Sequence, residues 1–137
     1  MGRKTTGGGK RRAGLVLVVD DEPDLQSVIG EILAARGYQV ETAKDGAEAL
    51  ERLERRERFD LILSDVRMPG LDGPAFYQAL EERHPELVGR VVFMTGNILT
   101  EDTADFFAAT GAPCLRKPFA TEDLERVFEQ VLTPAPA

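Results

Sequence analysis

A chain of 137 residues, 42% hydrophobic and 30% charged, is enough for one domain with a sizeable core and not for two. Residues 1–14 carry Arg3, Lys4, Lys10, Arg11 and Arg12 and no acid, so 12 basic and 24 acidic residues remain for 15–137, net −12 there and −7 overall. An acidic body argues against direct nucleic-acid binding, a lone cysteine rules out an intramolecular disulfide, and no apolar run approaches the ~20 residues of a membrane span.

Residues 1–13 mix Gly, Lys, Arg and Thr without apolar periodicity and read as a flexible basic linker or tag. A glycine run follows the basic start where a secretory leader needs an apolar stretch, so a cytoplasmic location is expected. Gly7-Gly8-Gly9-Lys10 is no phosphate loop: Arg11 stands where Ser or Thr is needed, and no strand precedes it.

Leu15–Val19 is an unbroken apolar, β-branched run, as a strand buried on both faces should be. Pro23 suits the first turn of a helix, and Leu25, Val28, Ile29, Ile32 and Leu33 form its apolar face until Gly37 stops it. Tyr38–Ala43 reads as the second strand, Asp45-Gly46 as a turn or cap, and Ala47–Arg58 as the second helix. Its charge run from Glu51 reads as a solvated face with Glu/Arg pairs along the helix. Phe59–Ser64 is the third strand with Asp65 at its C-terminal end, and Pro74–Arg83 the third helix after a Pro/Gly loop. Val91–Met94 is the fourth strand, ending at Thr95, and Glu101–Thr110 the fourth helix, stopped by Gly111. Phe106 and Phe107 there read as packing residues, and Cys114 as a small buried thiol in a short fifth strand, Cys114–Arg116. Thr121 is expected to cap a last helix with Leu124, Val127, Phe128 and Val131 inward. Residues 133–137 read as a disordered tail.

This alternation predicts a doubly wound α/β domain over 14–132, with a parallel sheet covered by helices on both faces. Ligands of such sheets bind at the carboxyl ends of the strands. Those ends carry Asp20-Asp21, Asp65, Thr95 and Lys117. Each residue alone has an ordinary reading: acids before a helix N-terminus, a turn aspartate, a strand-end hydroxyl, a surface lysine. Together they make one chemistry. Three carboxylates without His or Cys suit a hard cation such as Mg²⁺. One carboxylate can act as a nucleophile toward phosphorus, while a hydroxyl and an ammonium stabilise the phosphoryl oxygens. Three clustered acids also repel each other, so Lys117 and a divalent cation would stabilise the fold.

Four strings carry a resemblance: Leu-Val-Leu-Val-Val-Asp-Asp-Glu-Pro at 15–23, Leu-Ile-Leu-Ser-Asp-Val-Arg-Met-Pro-Gly-Leu-Asp-Gly at 61–73, Val-Val-Phe-Met-Thr-Gly at 91–96 and Leu-Arg-Lys-Pro-Phe at 115–119. In this order and spacing they resemble the receiver domains of two-component response regulators. The resemblance implies a flavodoxin-like fold of five strands and five helices in the order 2-1-3-4-5. It implies Asp65 as phosphoacceptor, charged by a histidine kinase, a phosphotransfer domain or a small phosphodonor. Asp21 would bind Mg²⁺ directly and Asp20 through water, and Asp65 and the backbone carbonyl of Arg67 would complete the protein ligands. Thr95 and Lys117 would each hold a phosphoryl oxygen, and the Lys117-Pro118 peptide would be cis. An unidentified downstream protein would bind the face of the fourth helix, fifth strand and fifth helix.

The chain departs from the family at Cys114, where many receivers carry an aromatic ring that moves with the threonine. Arg67 and Asn97, two residues after Asp65 and Thr95, would border the site. A free-standing regulator and a receiver of a larger hybrid histidine kinase both remain open. Two other functions compete. A phosphatase with an aspartate nucleophile would need an acid two residues on, where this chain has Arg67. A pseudo-receiver would keep the fold without taking up phosphate.

Overall fold

A computed structural model of the chain describes residues 14–55, 59–67, 70–96, 101–117 and 120–132. The expected basic linker, the tail, Asn97 and the cis Lys117-Pro118 peptide lie outside the described residues. Five parallel strands, β1 (Leu15–Val19), β2 (Gln39–Ala43), β3 (Leu61–Asp65), β4 (Val91–Thr95) and β5 (Cys114–Arg116), pair in the order β2-β1-β3-β4-β5. This is the order implied by the resemblance. The helices are α1 (Pro23–Ala35), α2 (Gly46–Glu54), α3 (Gly73–Arg83), α4 (Glu101–Thr110) and α5 (Thr121–Leu132). No helix among the described residues is long and apolar enough to cross a membrane.

The alternation of side chains along each strand divides the core in two. Leu17, Val19, Ile62, Val91 and Phe93 face one side, covered by α2 and α3 through Leu50, Leu53, Phe76 and Leu80. Val16, Val18, Leu61, Leu63, Val92 and Met94 face the other, covered by Ile29 and Leu33 of α1 and Leu124 and Phe128 of α5. Tyr38 meets Phe128 edge to face at 5.5 Å in this second layer. In the first layer Phe106 and Phe107 of α4 meet the Phe93 ring at 5.5 and 5.6 Å, and Tyr77 of α3 meets Phe106 at 5.3 Å. Each large buried side chain contributes about 2 kcal/mol by leaving water. The exposed ion pairs Arg36–Glu125 and Arg83–Glu54 contribute at most about 0.5 kcal/mol apiece, so packing holds the fold together.

Local backbone chemistry sets the element ends. Gly37, at φ 92°, closes α1: its N–H donates to Ala34 and that of Tyr38 to Leu33. Tyr38 is thereby committed to the helix, and β2 starts one residue later than its pattern suggests. Likewise β3 starts at Leu61, because the Asp60 carboxylate takes the Leu15 N–H at 2.8 Å. Asp45 and Asp72 cap α2 and α3 by accepting from Glu48 and Ala75. Thr121 does not cap α5. The carbonyl of Ala120 accepts from the Asp123 and Leu124 N–H groups, and the Asp123 carboxylate reaches back to accept the Ala120 N–H at 3.1 Å. Among the described residues, the charge run from Glu51 pairs outside its own helix. Arg52 binds Glu41 of β2, and Glu54 binds Arg83 of α3. A 3₁₀ turn at Pro85–Arg90, which periodicity did not reveal, leads into β4.

Gly73 begins α3 where the backbone turns back from β3. A Cβ there would lie 3.0 Å from Val66 Cα and 3.1 Å from the fully buried Phe93 ring. Neither neighbour can withdraw, so Gly73→Ala is expected to lower stability by about 1–2 kcal/mol. Urea unfolding measures it, and a loss under a few tenths of a kcal/mol would show that this turn gives way.

Candidate functional site

The carboxyl ends of β1, β3, β4 and β5 lie side by side in the parallel sheet. Asp20 and Asp21 follow β1, Asp65 ends β3, Thr95 ends β4, and Lys117 follows β5. Register keeps them together: Asp65 lies opposite Met94 and Thr95 opposite Arg116. The Lys117 N–H donates to the Thr95 carbonyl at 2.7 Å. The lysine stem runs along Gly96, with its Cδ 3.6 Å from where a Cβ would stand.

Asp20 is wholly buried, yet every polar group it carries has a partner. Its Oδ1 accepts from the Glu22 N–H at 2.8 Å, its Oδ2 lies 3.3 Å from Lys117 Nζ, and its own N–H donates to Ala43. Its carbonyl accepts from the side-chain amide of Gln26 at 2.6 Å. Asp21 is exposed beside it. Asp65 is 8% exposed, with Lys117 Nζ at 3.3 Å from Oδ2 and the Arg67 N–H at 3.3 Å from Oδ1. Thr95 is buried, and the Arg67 side chain is exposed at the rim.

Carboxylate oxygens of Asp20, Asp21 and Asp65 all lie within 4.8 Å of one another. Among the described residues, three carboxylates face one ammonium, an excess of negative charge. Burial pushes the Asp65 pKa above its ordinary value, the Asp20 charge adds to the rise, and Lys117 and the Arg67 amide only partly oppose it. Burial alone would lower the Lys117 pKa, but Asp65 and Asp20 outweigh it and hold the ammonium above its ordinary value. A close all-oxygen donor set with excess negative charge fits a hard divalent cation such as Mg²⁺.

Gln26 was not a site residue on sequence grounds, and no motif marks it. Cys114, expected as a small buried thiol, is half-buried, packs against the first core layer and pairs in register with Phe93. Burial raises its thiol pKa, with Arg116 opposing, so it is a poor nucleophile.

A family model for the response regulator receiver domain matches residues 16–129. The chain belongs to this family. The receiver is 33% identical over 120 residues to the DNA-binding transcriptional regulator NtrC of Escherichia coli K12, covering 88% of this chain and 25% of NtrC. It thus spans about a quarter of that relative's length. Among solved structures it superposes on chemotaxis protein CheY4 of Vibrio cholerae with a TM-score of 0.76 and 34% identity, over 89% of this chain and all of that one. Response regulator TrrA of Thermotoga maritima, solved in complex with Mg²⁺-BeF, matches with a TM-score of 0.73 and 25% identity over 87% of this chain and 99% of that one. Receiver domains are the phosphorylatable, regulatory modules of two-component systems, served by histidine kinases or phosphotransfer proteins and binding Mg²⁺ at an aspartate cluster.

Proposed function

We propose that the chain is a phosphorylation-dependent switch whose acceptor is Asp65. The observation that carries this reading is the setting of Asp65: a nearly buried carboxylate with one ammonium at 3.3 Å and two further carboxylates close by. A carboxylate so placed is short of compensating charge and is aligned at the open end of the sheet. An Asp65 carboxylate oxygen attacks the phosphorus of a kinase or phosphotransfer-domain phosphohistidine. The P–O bond forms as the P–N bond breaks, and the imidazole leaves with the electron pair and takes up a proton. Lys117 then pairs with one phosphoryl oxygen, and the Thr95 hydroxyl donates to another. Asp20, Asp21, Asp65 and the Arg67 carbonyl would hold Mg²⁺, which supplies charge neutralisation for the phosphoryl oxygens. Slow attack of water on phosphorus returns the carboxylate and inorganic phosphate.

New contacts from the phosphoryl group to Thr95 and Lys117 favour a second conformation. The Lys117 N–H bond to the Thr95 carbonyl joins the ends of β4 and β5, so a change at either reaches the α4–β5–α5 face, the proposed docking surface for a downstream protein. A cytoplasmic location suits this partnership.

Intact-mass spectrometry after incubation with acetyl phosphate and Mg²⁺ tests the proposal. The expected result is a gain of one phosphoryl group that EDTA prevents. No gain under conditions that label another receiver would favour a module that keeps the fold without the chemistry.

A further inference from the structure

The acid pair is not held by its own side chains alone. Asp21 is exposed, and its place depends on the peptide that joins it to Asp20. The carbonyl of that peptide accepts from Gln26 Nε2 at 2.6 Å, and the same nitrogen donates to the Ala43 carbonyl at 3.1 Å. Two carbonyl partners require the NH₂ end of the amide and use both of its protons. Ala43 also accepts the Asp20 N–H at 3.0 Å. Both backbone groups of Asp20 therefore converge on one point at the end of β2. The Asp20 carboxylate closes the turn by taking the Glu22 N–H, and Gln26 is itself fixed through its N–H to the Glu22 carbonyl at 3.1 Å.

We infer that Gln26 is a positioning residue for Mg²⁺: by fixing the Asp20–Asp21 peptide against β2, it presets the Asp21 carboxylate close to Asp20 and Asp65. This rests on reading the three carboxylates as the cation site. Like charges drive those carboxylates apart in the metal-free protein. Without the clamp, the exposed Asp21 is free to swing outward, and the cation must reassemble its ligands. If only about a tenth of the molecules keep the competent arrangement, apparent affinity falls about tenfold. That is the lower end of what outer supports of metal ligands contribute.

Calorimetric titration with MgCl₂ of the unaltered chain, Gln26→Met and Gln26→Asn tests this. The first variant removes the donors at similar length; the second keeps the amide but shortens its reach and serves if the first does not fold. Thr110→Ala is the control: its hydroxyl bonds Phe106 and Ala112 at the opposite end of the sheet, and its loss lowers stability without touching the acids. The inference predicts about tenfold weaker Mg²⁺ binding in the Gln26 variants and unchanged binding in Thr110→Ala, even where melting in EDTA falls equally. Binding by Gln26 variants equal to that of the unaltered chain would overturn the positioning role alone. No Mg²⁺ binding by the unaltered chain would overturn the cation site and this role with it.

Discussion

Asp65→Asn is expected to take up no phosphoryl group from acetyl phosphate and, in EDTA, to melt several degrees above the unaltered chain. The first effect follows from chemistry: an amide oxygen at this position does not form a stable phosphoryl ester, and Asp20 is wholly buried behind Lys117. The second follows from linkage. The folded pKa of Asp65 lies above its unfolded value, chiefly through burial. Its contribution to stability is therefore present below the unfolded pKa of ~3.9 and is lost as pH rises through the folded value. At neutral pH the ionised carboxylate weighs against folding, and a neutral amide of the same shape removes that penalty while Asp20 still partners Lys117. Mg²⁺ should raise the melting temperature of the unaltered chain more than that of the variant, which has lost one ligand. A melting temperature in EDTA at or below that of the unaltered chain would mean that the charge of Asp65 is already well compensated.

Lys117→Met should be among the most damaging single changes outside the core. Its ammonium sits 3.3 Å from both Asp20 and Asp65, and methionine keeps the stem but not the charge. Removing one partner of a buried ionic group commonly costs 3–5 kcal/mol; we expect about 3 kcal/mol, since the site opens to water on the Asp21 side. The lysine pKa is raised in the folded state, because two carboxylates outweigh its burial. Its stabilisation is thus fully present below the unfolded value of ~10.4 and fades only as pH climbs through the folded one. Urea unfolding in EDTA should show the same deficit at neutral and mildly alkaline pH. Adding Asp65→Asn should recover part of it, since one of the two stranded charges is gone. A deficit under about 0.5 kcal/mol would place this pair among ordinary surface salt bridges.

Much of this was legible because a parallel sheet covered on both faces writes its strands as unbroken apolar runs. The bounds of β1 and β5 are the sequence-based ones, and the polar residues after the runs mark the ends where chemistry gathers. The strand order rested on the resemblance, since alternation alone does not say which strands are neighbours. What stayed hidden depends on contacts across the chain. Gln26 reads as one polar residue in a helix, and its role appears only once Ala43, 17 positions away, stands beside Asp20. The partners of Arg52 and Glu54 lie on β2 and α3, which helical spacing does not reveal. Cys114 sits in a three-residue edge strand and is less covered than its apolar neighbours suggested.

The two layers of the core each hold one tyrosine: Tyr38 against Phe128 on the α1/α5 side, Tyr77 against Phe106 on the α3/α4 side. The chain has two tyrosines and no tryptophan, so no indole drains or masks their emission. Each face of the sheet therefore carries its own intrinsic fluorophore, and replacing either ring by phenylalanine leaves the other as a single reporter. The two halves of the molecule are optically separable without a dye, and whether they melt as one cooperative unit is open to direct observation.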